Sequence, residues 1–151
     1  MHQKDDIANR FARICDPIPD DVELGFHLCY GDFGGKHFFD PVTARHLVDI
    51  ANAIAANTKH EIAFIHMPVP ISRATDDFFS PMREFKLAAT TEIYLGLVHA
   101  ADGVEGTKKR IALAAKYVPH FGIATECGFA RARKKDLVRA LLDIHKGATG
   151  N

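Results

Sequence analysis

Four short apolar segments rich in Ile, Val, Leu and Phe recur at near-regular intervals, and they constrain the fold of this chain more than any other feature. They occupy residues 23–29, 61–67, 92–99 and 121–127, and at or next to their ends stand Cys29, His66, His99 and Cys127, 37, 33 and 28 residues apart. Each is nearly continuous in apolar character, as a parallel strand covered on both faces should be. Helical patterns fill the intervals. Residues 41–57 open with Asp40 at the N-cap and Pro41 at the first helical position, then set Val42, His46, Ile50 and Ile54 on one face. Residues 104–118 repeat the idea with Ile111, Ala114, Ala115 and Val118 before Pro119 stops the helix. Residues 136–145 carry Leu137, Val138, Leu141 and Leu142, and residues 6–14 carry Ile7 and Phe11 ahead of Pro17 and Pro19. Residues 68–81, with Pro68, Pro70 and Pro81, read as a loop.

A strand followed by a helix about every 31 residues is the repeat of a (β/α)8 barrel of about 250 residues. The chain has 151 residues, the size of a single domain. The expectation is an α/β fold of four successive βα units, half of a (β/α)8 TIM barrel, over residues 1–151, with residues 1–20 forming an N-terminal helix and proline-containing lead-in. An open doubly wound sheet has a similar period, although no glycine-rich dinucleotide fingerprint follows the first strand.

Charge narrows the partners. Nineteen Lys and Arg side chains balance nineteen Asp and Glu, and zero net charge argues against a nucleic-acid binder. No apolar run approaches the roughly 20 residues of a membrane span. Residues 1–6 lack the apolar core of a secretory signal, so the expected location is cytoplasmic. The three cysteines are an odd number, which does not suggest a disulfide framework there.

All four segments end in a side chain able to bind a metal or move a proton. Strand alternation puts His27 with Cys29, Phe64 with His66, Leu97 with His99 and Thr125 with Cys127, while Phe26 and Leu28 face the covering helices. Ligands collect at the carboxyl ends of parallel strands, so His27, Cys29, His66, His99 and Cys127 are candidates to converge there. Two thiolates with imidazoles suit Zn²⁺. Taken singly, a cysteine in an apolar strand is a small buried hydrophobe, the role expected of Cys15, and a strand-end histidine is hydrogen-bonded structure.

The run His27-Leu-Cys-Tyr-Gly-Asp-Phe33 resembles the His-x-Cys-Tyr motif of the cobalamin-independent methionine synthase family. Glu126-Cys-Gly-Phe-Ala-Arg131 resembles that family's Asp-Cys-Gly segment. The order of elements between them is similar too, including the strand ending Val98-His99 and the helix ending Ala115-Lys-Tyr-Val-Pro119. The likeness runs from Glu23 to His145 and corresponds to the C-terminal half of the family's catalytic barrel, within a superfamily that includes corrinoid-linked zinc methyltransferases. It implies a Zn²⁺ site with His27, Cys29 and Cys127 as ligands. The family's fourth ligand is a glutamate, and His66 stands at that position, which would make the site formally neutral. Glu126 is the other candidate, but alternation points it away from Cys127. His99 falls where the family's proton-handling histidine lies. The implied activity is transfer of a methyl group from methylfolate or another methylated carrier to a small-molecule thiol. Because four units cannot close a barrel, the resemblance also implies a homo-oligomer or a partner supplying the other half. The competing readings are a non-catalytic zinc-binding or truncated structural module, and an open α/β domain without metal.

Weaker signals remain. Gly31, Gly34 and Gly35 allow a ligand loop or a plain turn. Arg73, Arg131 and Arg133 are either carboxylate clamps or solvated loop residues. Asp76-Asp77 and Lys108-Lys109-Arg110 read as solvated faces, and Phe78-Phe79 as a lid, a core plug or a contact with a missing partner.

Overall fold

The computed structural model describes residues 3–33, 36–129 and 133–150. Helix α1 (Gln3–Cys15) leads into strand β1 (Leu24–His27). A small antiparallel pair, β2 (Asp32–Phe33) and β3 (Lys36–His37), precedes helix α2 (Arg45–Asn57). Then come β4 (Ile62–Pro68), the one-turn helix α3 (Asp76–Phe79) between 3-10 turns at Ile71–Arg73 and Ser80–Glu84, and β5 (Glu92–Val98). Helix α4 (Gly103–Ala114), strand β6 (Gly122–Thr125) and helix α5 (Lys135–Thr149) complete the chain. None of the described helices is long and apolar enough to cross a membrane.

Strands β1, β4, β5 and β6 form one parallel sheet in that spatial order, so successive βα units lie side by side. A doubly wound sheet reverses its strand order at a switch point, and this one does not. Alternation gives the sheet two unlike faces. Phe26, Leu28, Ile65, Met67, Leu95 and Leu97 are buried in the main apolar core with Leu47, Val48, Ala51 and Ile54 of α2. On the other face His27 and Cys29 are exposed, and Phe64 remains 39% exposed. The uncovered face departs from the expectation that both sides of every strand are covered.

That open face is paved by two aromatic rings. Phe64 and Tyr94 meet edge to face at 5.9 Å. A Cβ at Gly25 would fall 2.2 Å from the Phe64 ring, and one at Gly122 would fall 2.4 Å from the Tyr94 ring. Glycines on the outer strands thus make room for aromatics on the inner ones. Beyond them, toward the amino ends of the strands, lies a cavity of about 620 Å³ whose walls include Asp21, Glu23, Glu61, Phe64, Glu92 and Tyr94.

Several helix faces differ from the sequence reading. Helix α2 starts at Arg45 rather than beside Pro41, with Ala44 at its N-cap, and Asp40 instead pairs with Arg73 at 2.6 Å. Its buried stripe is Leu47, Val48, Ala51 and Ile54, while Val42 is 70% exposed and His46 also faces solvent. In α1 the buried stripe is Ala8, Ala12 and Cys15, with Ile7 exposed and Phe11 packed edge-on against Phe26. In α5 only Leu141 is fully buried, and Leu142 is exposed. In α4 Ala114 is buried and Ile111 half-buried, with Val118 buried beyond the helix end, but Ala115 is exposed.

Two further expectations resolve in the loops. Phe78 and Phe79 are completely buried and pack edge to face, so they plug the core. Arg110 is not part of a solvated face. It is 2% exposed, donates from Nε to the Leu97 carbonyl at 2.7 Å, and grips Asp102 with both terminal nitrogens at 2.5 and 2.8 Å. Helix phase explains this: Thr107, Arg110 and Ala114 form the buried stripe of α4 at i, i+3, i+7.

Candidate metal centre

The carboxyl ends of β1 and β6, at opposite edges of the sheet, bring three side chains together. A ring nitrogen of His27 and the sulfurs of Cys29 and Cys127 lie within 4.8 Å of one another. Donor atoms about 2.0–2.3 Å from a tetrahedral ion are separated by about 3.5–3.8 Å. The group is therefore close to ligating distance, and it can bind a metal ion. Two thiols and one imidazole form a soft, thiolate-rich set of the kind that favours zinc-like ions over hard cations.

The local backbone helps. Gly31 has a φ of 75°, and its N–H donates to Cys29 Sγ at 3.4 Å. A Cβ at Gly31 would sit 2.3 Å from the Phe38 ring, which is exposed and can move, so it is the positive φ that calls for glycine here. Gly128, with a φ of 72°, turns the chain directly after Cys127. Of the other loop glycines singled out in the sequence, Gly34 and Gly35 lie outside the described residues.

His66 stands beside the triad. It is in register with His27 across the β1–β4 pair, and the two Nδ1 atoms are 2.9 Å apart. The other ring nitrogen of His66, Nε2, lies 3.2 Å from the carbonyl oxygen of Thr125 on β6. Burial, reinforced by the positive potential of a protonated His27, pulls the pKa of His66 down to about 4, with the Thr125 contact opposing the shift. Burial alone lowers that of His27. Both rings are consequently held neutral near pH 7, the form in which imidazole binds metals.

His99 is placed differently. It shares the helix-covered face of β5 with Leu95 and Leu97 and is 4% exposed. Its Nε2 lies 2.9 Å from the Val69 carbonyl and its Nδ1 lies 3.1 Å from Glu126 Oε1. Glu126 alternates with Cys127 along the strand end, so it meets His99 on that covered side, where Arg133 approaches its other oxygen at 3.6 Å. Arg133 also reaches the Cys127 carbonyl at 3.5 Å. The five candidates thus divide: His27, Cys29 and Cys127 converge, His66 contacts His27, and His99 joins a separate buried network.

Sequence reading did not anticipate the Thr125 carbonyl, because a backbone acceptor leaves no side-chain signature. Nor did it anticipate Gly96, where a Cβ would fall 3.0 Å from that same oxygen. A glycine inside an apolar strand is the usual sign of such close backbone approach. Of the three arginines considered as carboxylate clamps, Arg73 is engaged by Asp40, Arg133 lies beside Glu126 and Cys127, and Arg131 is outside the described residues. No protein-family model matches the chain, and no significant match to a curated protein or a solved structure is found.

Proposed function

We propose that the chain is a zinc-dependent thiol S-methyltransferase of the methionine synthase kind, built as one half of a (β/α)8 barrel. The observation that carries this reading is the convergence of His27, Cys29 and Cys127 at the carboxyl ends of parallel strands. Zn²⁺ held there would lower a substrate thiol's pKa from its usual value of about 8.5, so that a thiolate is present at neutral pH. The residues of the chain do the rest. Cys29 and Cys127 supply charge that keeps a bound sulfur electron-rich, and the Gly31 N–H steadies Cys29. The small-molecule thiol enters from the open face, and a methylated carrier, methylfolate or another, approaches above it. His99 acts at one remove, orienting Glu126 behind Cys127.

The open face with its Phe64–Tyr94 pavement supports a second element of the same proposal. A further set of four βα units, from another copy or another chain, covers it, completes the barrel and supplies the carrier-binding strands. Sedimentation at the monomer mass together with a single cooperative melt would remove that element.

One observation favours a second reading. Both ring nitrogens of His99 are engaged by Val69 and Glu126, so this histidine is not free to serve an incoming carrier, as suits a zinc-binding module without turnover. X-ray absorption of the zinc-loaded chain with and without homocysteine separates the two. A new Zn–S scatterer on adding thiol is the result expected of the enzyme. An unchanged, closed shell supports the structural module.

A further inference from the structure

The Thr125 carbonyl can only accept a hydrogen bond, so the contact at 3.2 Å requires a proton on His66 Nε2. A neutral imidazole has one N–H, which leaves His66 Nδ1 as a bare acceptor. The 2.9 Å contact between the two Nδ1 atoms also requires one proton, and only His27 can provide it. His27 must then carry its hydrogen on Nδ1 and its lone pair on Nε2. Both nitrogens of His66 are occupied by protein, and neither is left for an ion.

From this relay we propose that His66 is a positioning residue: it fixes the tautomer and ring orientation of His27, so that a metal is held by His27 Nε2, Cys29 and Cys127 and keeps its fourth position for an external ligand. The tautomer assignment concerns the protein alone. The ligand count rests on the zinc reading above. Removing the outer partner of a ligating histidine typically lowers metal affinity about 10–100-fold, and the same order is expected for His66→Ala. His66→Gln preserves the relay, because its amide nitrogen can donate to Thr125 while its amide oxygen accepts from His27. It should restore most of the affinity.

The first experiment uses metal-free wild-type protein labelled with ¹⁵N at histidine. Long-range ¹H–¹⁵N correlation near pH 7.5 should give the Nδ1–H tautomer for His27 and the Nε2–H tautomer for His66. The reverse pair, or a rapidly exchanging mixture at both rings, overturns the relay. The second uses Co²⁺-loaded protein and counts imidazole scatterers by X-ray absorption. A single imidazole in wild type and in His66→Gln alike supports the proposal. Two imidazoles in wild type, one of them lost in His66→Gln, would make His66 a ligand and overturn it. If no Co²⁺ binds, the zinc reading and the ligand count both fail, while the tautomer result still decides whether His66 orients His27.

Discussion

His27 and His66 face each other across neighbouring parallel strands, with their Nδ1 atoms 2.9 Å apart and a single proton to share. His66 cannot take up a second proton without breaking that contact or abandoning the Thr125 carbonyl, and burial opposes the added charge as well.

This arrangement makes the stability of the metal-free protein depend on pH. His66 titrates near its ordinary 6.5 in the unfolded chain and near about 4 in the folded one. Between those values the unfolded state binds the extra proton, so stability is complete above about 6.5 and falls as pH drops toward about 4. The loss from pH 7 to pH 4 should be on the order of 1–3 kcal/mol. Urea unfolding at both pH values checks it, with His66→Gln flattening the dependence. An equally steep loss in the variant would assign the effect to other groups.

Gly96 sets how closely β6 approaches β5. An added Cβ would meet backbone on both sides, Thr125 O at 3.0 Å and Pro68 Cα at 3.1 Å, where nothing can swing aside. Gly96→Ala should cost about 1–3 kcal/mol and disturb the His66–Thr125 contact. At Gly25 the obstacle is the Phe64 ring, which is 39% exposed and can move, so Gly25→Ala should be the milder change. Thermal melts of the two variants side by side decide it, and the prediction fails if Gly25→Ala is the more damaging.

Arg110 ties α4 to the end of β5 through the Leu97 carbonyl and Asp102. Arg110→Ala leaves that carbonyl without its donor and Asp102 without its bidentate partner, a loss of about 2–4 kcal/mol. Arg110→Lys retains the charge but not the fork, and should fall between the two. Denaturant midpoints order the three proteins, and a wild-type midpoint for Arg110→Ala would contradict the role assigned to this side chain.

The strands were legible from their apolar runs, which bury one face in the core and set Phe64 and Tyr94 on the other, and His27 and Cys29 because a two-residue spacing keeps both on one face. His99 was not, for a reason visible in the register. His66 pairs with Tyr94, so even-numbered residues of β5 lie on the His66 side of the sheet, and His99, in step with Leu95 and Leu97, belongs to the other. Strand-end position alone says nothing of which side a residue faces. Arg110 was hidden in a basic run that resembles a wet surface, though its spacing from Thr107 and Ala114 placed it on the stripe facing the core. The 3-10 turns and α3 escaped because each is short and set among prolines, with Thr75 supplying a side-chain cap by accepting from the Phe78 N–H.

Zinc binding to the purified chain, measured by metal analysis after dialysis for wild type, Cys29→Ser and Cys127→Ser, tests the central claim most directly. Wild type should hold one zinc per chain, and each serine variant should lose most of it, together with the increment in melting temperature that the metal confers. Full stoichiometry and an unchanged melt in both serine variants would show that these sulfurs share no ion, and the thiol-activating centre proposed here would have no basis.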